Sequence, residues 1–230
     1  MEISKRLQTI ANSVPVGINT VVDIGTDHGY IPIYLIKNNI ANRCIACDIN
    51  PMPLSNAKKN ITHYNMDNQI ETRLSNGLSK VAIGEPDAII IAGMGGMLII
   101  DILKEKQEVV KAVGLLILQP QLDIIEVRKY IHSIQFTIID EQMVYDDGKY
   151  YTIITAMPGY ESPYSETGYI FGEKIIEKKD IVFKEFLKNK LNNLNILEGN
   201  ISKIKTINSK KRLEEIRKER QMYEGVLECL

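Results

Sequence analysis

The sequence has no tryptophan, four phenylalanines and three cysteines among its 230 residues. It has no apolar run of the roughly 18 residues that a membrane helix needs. Its first fifteen residues, MEISKRLQTIANSVP, contain no signal-peptide core and have the apolar spacing of a short amphipathic helix. These absences argue against a membrane protein and against a secreted disulfide scaffold. We therefore expect a cytoplasmic protein without a membrane partner.

The scarce cysteines include one C-x-x-C pair, Cys44 and Cys47, in the segment RCIACDI. No second pair is present to complete a zinc site, and residues three apart on a strand point to opposite faces. We interpret both as buried, reduced thiols and predict no metal.

Charge is unevenly distributed along the chain, although the net charge is only −1. Residues 1–160 have 14 Lys/Arg against 17 Asp/Glu, whereas residues 172–220 have 14 against 8. This asymmetry indicates that a polyanionic partner contacts the C-terminal part of the chain.

Predicted strands and helices alternate through residue 133, which is the pattern of a doubly wound α/β sheet. The apolar segment GLLILQP is typical of a parallel strand buried on both faces. Next, FTIIDEQMVY and KYYTIITAMP flank Asp146-Asp147-Gly148, which predicts an antiparallel hairpin. A Rossmann dehydrogenase would continue with another crossover. A parallel sheet closed by a hairpin resembles instead the class I methyltransferase fold that uses S-adenosylmethionine (SAM).

The turn-rich segment PGYESPYSETG separates this domain, residues 1–160, from a second region, 161–230. Leucine and isoleucine recur there at spacings of three and four. We predict a helical hairpin, forming a short antiparallel coiled coil, with a helix break at Gly199-Asn200.

Polar and turn-forming residues follow the first two predicted strands, where ligands of these folds bind. In DIGTDHGYIP, Asp23 is placed to accept a hydrogen bond from a cationic or hydroxyl group. Gly25 allows a sharp turn, and Gly29 allows either a ligand or a neighbouring element to approach the backbone. Asp48 ends the second strand, where an acid binds the hydroxyls of a ribose, or alternatively caps the next helix.

Similar features follow the third and fourth strands. After the third strand, SNGL at 75–78 either provides the Asn76 amide for hydrogen bonding to an adenine edge or is an ordinary turn. After the fourth strand, AGMGGM at 92–97 is either the floor of a ligand pocket without side chains or the glycine-rich start of a helix. The predicted cofactor-binding residues are Asp23, Gly25, Gly29, Asp48, Ile49, Asn76, Gly77, Ala92, Gly93, Met94 and Gly95.

The first turn also distinguishes between cofactors. Asp27 and His28 stand where a dinucleotide pyrophosphate needs bare backbone, and an acid beside a diphosphate is unfavourable. SAM has a sulfonium and an ammonium and no phosphate, so the acids favour SAM.

Together, DIGTDHGYIP, CDINP, RLSNGL, IIIAGMGGMLI and LILQPQ resemble the bacterial tRNA (adenine-N1) methyltransferases that modify adenine 22, the TrmK family. The resemblance covers residues 1–160 in order, and the helical tail fits the family's C-terminal coiled coil. It implies a class I fold, SAM as cofactor and tRNA as substrate. Relative to the superfamily's D-x-G-x-G-x-G, Asp27 replaces the middle glycine.

For such a reaction, Asp27 and His28 are the candidate catalytic residues, since both titrate and lie beside the predicted cofactor. Gln119 is a candidate contact to the target base, and a basic tail surface is a candidate for holding tRNA. The predicted tail residues are Lys203, Lys205, Lys210, Lys211 and Arg212.

Other functions remain open at this point. They are a SAM methyltransferase acting on another RNA or a small molecule, a non-catalytic RNA-binding protein, and a nicotinamide oxidoreductase. We expect a monomer.

Overall fold

A computed structural model describes residues 2–204 and 206–230 of the chain. The chain divides into two compact units, Met1–Pro163 and Tyr164–Leu230, and each is described by itself. None of the helices in the described residues is long and apolar enough to cross a bilayer.

The first unit is built around one seven-stranded sheet with the order β3-β2-β1-β4-β5-β7-β6. Its strands are β1 (Ile18–Ile24), β2 (Ala41–Asp48), β3 (Ile70–Leu74), β4 (Ala88–Met94), β5 (Leu115–Pro120), β6 (Phe136–Asp146) and β7 (Lys149–Pro158). Its helices are α1 (Lys5–Asn12), α2 (Tyr30–Lys37), α3 (Pro51–His63), α4 (Gly96–Glu105), α5 (Gln107–Ala112) and α6 (Ile124–Ser133).

The pairing of the strands confirms the predicted fold class. Strands β1 to β5 are parallel, while β7 pairs antiparallel with both β5 and β6. The five parallel strands consist largely of valine, isoleucine, leucine and alanine, and every residue of β5 is buried. Such strands need helices on both faces, which the crossovers supply. One helix, α5, was not anticipated from the sequence.

The hairpin β6–β7 is fixed to the rest of the sheet by polar contacts. The Arg128 guanidinium on α6 donates a 2.7 Å hydrogen bond to Glu141 on β6, and both side chains are buried. The backbone N–H of Arg6 on α1 donates to Asp146 at the tip of the hairpin at 3.0 Å. A buried ion pair adds little net stability, but loss of one partner is strongly destabilising.

The two predicted thiols lie inside the sheet. Cys44 and Cys47 are free and buried on β2, and burial raises the pKa of the Cys47 thiol to about 12. Neither is therefore ionised near neutral pH.

The second unit is helical. It contains α7 (Glu166–Phe171), α8 (Glu173–Glu177), α9 (Ile181–Ile201) and α10 (Ile207–Glu228). Helices α9 and α10 pack against each other, and Glu198 on α9 accepts from Arg217 at 2.7 Å and from Arg220 at 2.6 Å on α10. The coiled-coil interpretation of this pair stays a prediction.

The predicted break between two tail helices is confirmed, but it follows Ile201 instead of lying at Gly199-Asn200. Helix α9 continues through Gly199 to Ile201, because one glycine with helical backbone angles weakens a helix without ending it. The next helix, α10, begins at Ile207 and is capped by Thr206, whose side chain accepts from the Ser209 N–H while the Ser209 hydroxyl accepts from the Thr206 N–H. This reciprocal cap defines the start of α10.

Candidate active site

The loops that follow β1 to β4 enclose two adjoining cavities at the carboxyl edge of the parallel strands. One, here called the Asp48 cavity, has a volume of about 300 Å³, and the other, the Asp23 cavity, about 320 Å³. Both are lined by Gly25, Ala92 and Gly93. The two cavities therefore meet at the ends of β1 and β4, which are neighbouring strands.

The Asp48 cavity contains most of the predicted cofactor-binding residues. Those that line it are Gly25, Asp48, Ile49, Asn76, Gly77, Ala92, Gly93 and Met94. Sequence reasoning missed the other five lining residues, Ile24, Asn50, Ser75, Leu98 and Ile102. The last two come from α4, whose apolar spacing predicts a helix but not the cavity that one of its faces covers.

The Asp48 carboxylate is held in position by the start of α3. Its Oδ1 atom accepts a 2.7 Å hydrogen bond from the Asn50 N–H. Within the part of the chain that the structure describes, this carboxylate makes no other hydrogen bond. Asp48 is not the cap of α3, since Asn50 occupies that position and no side chain caps the helix, and the Asp48 carboxylate lines the cavity with acceptor capacity to spare.

The Asp23 cavity contains charges of both signs. Its lining includes the carboxylates of Asp23 and Asp27 and the guanidinium of Arg6. Because a cation is favoured near Asp23 and an anion near Arg6, the cavity is complementary to a zwitterion such as an amino acid.

The buried Asp23 carboxyl is electrostatically unusual. It is 4% exposed, and its pKa is raised to about 6, mainly by burial and slightly by the charge of Asp48. The nearby Thr26 hydroxyl lowers this pKa and partly offsets the effect of burial. The Thr26 oxygen does not, however, have the geometry of a hydrogen bond to any described residue. A cationic ligand beside Asp23 would favour the ionised form and lower this pKa.

Arg6 is the charged residue of this cavity that sequence reasoning missed. Its Nη1 atom donates a 2.7 Å hydrogen bond to Oε1 of Gln119, and its guanidinium carbon lies 5.2 Å from the centre of the Tyr151 ring. On an amphipathic helix, an arginine between apolar positions has the pattern of a solvated surface residue. No sequence signal distinguished it.

We call the three residues that line both cavities, Gly25, Ala92 and Gly93, the shared floor. Glycine is required at two of these positions. Gly25 has φ +75°, and a Cβ there would collide with Cε of Met94. Gly93 has φ +78°, and a Cβ there would lie 3.4 Å from Nη1 of Arg6. Side chains at these positions would therefore narrow the passage between the two cavities.

Four of the residues predicted around the cofactor and the target base line neither cavity. Gly29 packs α2 against α3, since a Cβ there would lie 3.3 Å from Cβ of Ala57, and Gly95 caps α4. His28 lies beside Asp27, with 3.3 Å between its Nε2 atom and Oδ1 of that residue.

Gln119 is the fourth of these residues. It is fully buried, and its amide nitrogen donates to the Pro120 carbonyl at 3.1 Å. Since its Oε1 atom accepts from Arg6, both ends of the amide are engaged. Gln121 instead lines the Asp23 cavity.

The basic residues predicted in the tail gather at one end of the second unit. Lys203 follows α9, while Lys210, Lys211 and Arg212 lie in the first turns of α10, and all four are exposed. Arg212 pairs with Glu215 at 2.9 Å. Lys205 lies outside the described residues. We call Lys203, Lys210, Lys211 and Arg212 the basic tip.

Comparison with known proteins gives a consistent result. Residues 3–154 match the family described as a methyltransferase domain. Over 99% of its length the chain is 31% identical to the tRNA (adenine(22)-N(1))-methyltransferase of Bacillus subtilis, of which it covers 98%.

Solved structures agree with this similarity. The crystal structure of Streptococcus pneumoniae Sp1610 in complex with S-adenosyl-L-methionine is 28% identical, with a TM-score of 0.86 and coverage of 98% of this chain and 100% of that one. The structure of M. capricolum TrmK in complex with S-adenosyl-homocysteine is 27% identical, with a TM-score of 0.82 and coverage of 100% and 99%.

Proposed function

This chain belongs to the family of tRNA (adenine(22)-N1)-methyltransferases, and on that premise we propose that it methylates N1 of adenine 22 in tRNA. SAM is the cofactor and tRNA the substrate. The observation that best supports this function is the pair of adjoining cavities, one with a carboxylate for a ribose and one with both charges for an amino acid.

The residues present fit SAM in both halves. We assign its adenosine to the Asp48 cavity, with the Asp48 carboxylate on the ribose hydroxyls and Asn76 on the adenine edge. We assign its methionine part to the Asp23 cavity, with the ammonium beside Asp23 and the carboxylate beside Arg6. The sulfonium then falls at the shared floor, where Gly25 and Gly93 present no side chain.

When bound, SAM supplies a methyl group on a sulfonium, which adenine N1 attacks with its lone pair while the carbon–sulfur bond breaks and sulfur keeps the electron pair. The protein's contribution is to align the nitrogen with the methyl group and to exclude water. No covalent bond to the enzyme is required.

We assign the acid–base work to Asp27 and His28. Asp27 lines the Asp23 cavity, and its side chain is 76% exposed, so it is accessible to a base entering from solvent. The methylated adenine is cationic, and a carboxylate stabilises it electrostatically or accepts a proton from N6. His28 lies within 3.3 Å of Asp27 and is placed to take the proton onward.

The target nitrogen is on the Watson–Crick edge, so adenine 22 has to leave its stacked or paired position before it reacts. Holding folded RNA during this step requires contacts outside the cleft. We assign them to the basic tip, and we propose that the enzyme works as a monomer in the cytoplasm, where tRNA is modified.

Incubation of the full-length protein with methyl-labelled SAM and unmodified tRNA transcript, followed by nucleoside mass spectrometry, tests this function. We expect 1-methyladenosine with one methyl group per tRNA. A transcript with guanine in place of adenine 22 is the matched control and should accept no label. Equal labelling of the two transcripts would assign the methyl group to another nucleotide.

A further inference from the structure

A third cavity lies beside the C-terminal ends of helices α4 and α6. Its volume is about 530 Å³, and none of its lining residues lines the Asp23 or Asp48 cavity. Helix α4 borders both sites, because Leu98 and Ile102 line the Asp48 cavity while Lys104 lines this one. The two sites therefore share a helix but no lining residue.

The lining of this cavity is cationic and partly apolar. Lys104 and Lys111 contribute two positive charges, and no carboxylate is among the lining residues. Val110, Ile134 and Phe136 supply apolar surface. A volume in the range of small-molecule sites, with convergent polar groups on apolar walls, is the usual form of a ligand pocket.

Tyr130 gives the second, independent indication of a ligand. The residue is 9% exposed, and its hydroxyl is buried without a hydrogen-bond partner among the described residues. It lines both this cavity and a smaller neighbouring one of about 260 Å³. Since burying an unpaired hydroxyl is unfavourable, an acceptor on a bound molecule would be stabilised there.

Lys104 and Tyr130 together indicate which sign of charge a ligand of this site would have. The Lys104 ammonium lies over the Tyr130 ring, 5.6 Å from its centre, and both residues line the same two cavities. In the neighbouring cavity, Glu126 is already paired with Lys129 at 3.1 Å and does not neutralise Lys104. Both donors thus favour an anionic acceptor.

We propose that this cavity, hereafter the Tyr130 site, binds a small organic anion with an apolar body, such as an aromatic sulfonate, carboxylate or phosphate monoester. The anionic group contacts Lys104, Lys111 and the Tyr130 hydroxyl, while the apolar body packs on Val110 and Phe136. The site is separate from the methyl-transfer cleft, and its existence does not depend on the identity of the methylated nucleotide.

The test uses 8-anilinonaphthalene-1-sulfonate, which combines an aromatic body with a sulfonate and fluoresces when bound. The full-length protein is titrated in saturating S-adenosylhomocysteine, so that the cleft is filled. We expect saturable binding of one molecule. Lys104→Glu and Lys111→Glu should each weaken it about tenfold or more, because a hydrogen bond to a charged group is lost and a repulsive charge is added.

Lys58→Glu is the matched control, since Lys58 is an exposed lysine on α3 that lines none of these cavities. It should leave the affinity unchanged. Thermal midpoints and S-adenosylhomocysteine affinity confirm that each variant is folded. Unsaturable binding, or equal affinity in all three charge variants, would overturn the Tyr130 site.

Two further arms test the ligand chemistry. Tyr130→Phe retains the ring and removes the hydroxyl, so it should weaken binding severalfold, and unchanged affinity would remove the hydroxyl from the site. Added tRNA should not displace the dye. If tRNA displaces the dye from the unmodified protein but not from Lys111→Glu, the natural occupant of the site is an RNA phosphate and not a small anion.

Discussion

The Arg6 guanidinium donates a 2.7 Å hydrogen bond to Oε1 of Gln119, a residue 113 positions further along the chain. This bond joins helix α1 to the end of β5 and directs the guanidinium toward the Asp23 cavity. Gln119 is buried and its amide also donates to Pro120, so its orientation is fixed. We therefore propose that Gln119 positions Arg6, and its contact to the target base stays a prediction.

Removal of the Gln119 amide should weaken cofactor binding through Arg6. Gln119→Leu should reduce SAM affinity by about 1 kcal/mol, because the guanidinium is no longer held. Arg6→Gln should cost more, about 1.5–3 kcal/mol, because the contact to the methionine carboxylate is lost. Calorimetry on the two variants and the double variant measures this. If the losses simply add, Gln119 does not act through Arg6.

The ribose contact at Asp48 can be tested without disturbing the start of α3. Asp48→Asn keeps an oxygen that accepts from the Asn50 N–H but removes the negative charge. Affinity for S-adenosylhomocysteine should fall by about 1–3 kcal/mol, since hydrogen bonds to a charged acceptor are the stronger ones. Calorimetry measures the change, and Asp101→Asn, an exposed acid on α4, is the control. An unchanged affinity would remove Asp48 from the cofactor site.

The fold was predictable because local patterns and topology agree. The apolar strands, the crossover rhythm and the Asp146-Asp147-Gly148 turn together define a parallel sheet closed by a hairpin, and the strand pairing confirms it. The strand ends were predictable for the same reason, since parallel strands bring their carboxyl ends to one edge.

Residues that reach the site from other elements were not predictable. Arg6 approaches from α1, and Leu98 and Ile102 approach from the side of α4. Their placement depends on how helices pack on the sheet, which no local pattern encodes. At Gly199 the local signal placed the end of a helix two residues too early, since α9 ends at Ile201.

Substitution of the acid–base pair should affect turnover more than cofactor affinity. Asp27→Asn and His28→Asn should each lower kcat about 10²–10⁴-fold, the usual contribution of a positioned acid or base. Asparagine suits position 28 because His28 has φ +60°, a conformation that asparagine tolerates well. Single-turnover kinetics and SAM calorimetry separate the two effects. Equal losses in kcat and in affinity would mean that these residues only shape the pocket.

The raised pKa of Asp23 predicts a cost in stability for the cofactor-free protein. Because the folded-state pKa is about 6 and the ordinary value is 3.8, the folded protein binds this proton more tightly than the unfolded chain does. The contribution of Asp23 to the free energy of unfolding is therefore most favourable at low pH, and it falls as the pH rises from about 4 to about 6. Above pH 6 the accumulated cost is about 3 kcal/mol.

Asp23→Asn should remove this cost. In urea unfolding of the cofactor-free protein at pH 8, the variant should be more stable by up to about 3 kcal/mol. The gain should shrink as pH falls through 6 and be mostly gone near pH 4. The same variant should bind SAM more weakly, since the partner of the ammonium is lost. A stability gain that does not vary with pH would contradict the assignment to Asp23 ionisation.

The basic tip should govern tRNA binding without affecting the cofactor. Lys and Arg contacts to phosphates release counterions, so affinity for tRNA should fall steeply as salt rises. The combined variant Lys210→Glu and Lys211→Glu should weaken tRNA binding and flatten the salt slope by about one unit per lost contact. Lys188→Glu, an exposed lysine on α9, is the matched control and should keep the slope.

Deletion of residues 164–230 separates RNA binding from cofactor binding. Every residue of the Asp23 and Asp48 cavities lies before residue 122, and the first unit has its own sheet and core. The shortened protein should therefore bind S-adenosylhomocysteine with unchanged affinity, as measured by calorimetry. It should lose most of its tRNA affinity and methylation, because the remaining residues 1–163 have 14 basic residues against 18 acidic ones. If it stays folded and methylates tRNA at the full rate, the helical unit contributes stability or assembly and the cleft alone holds the RNA.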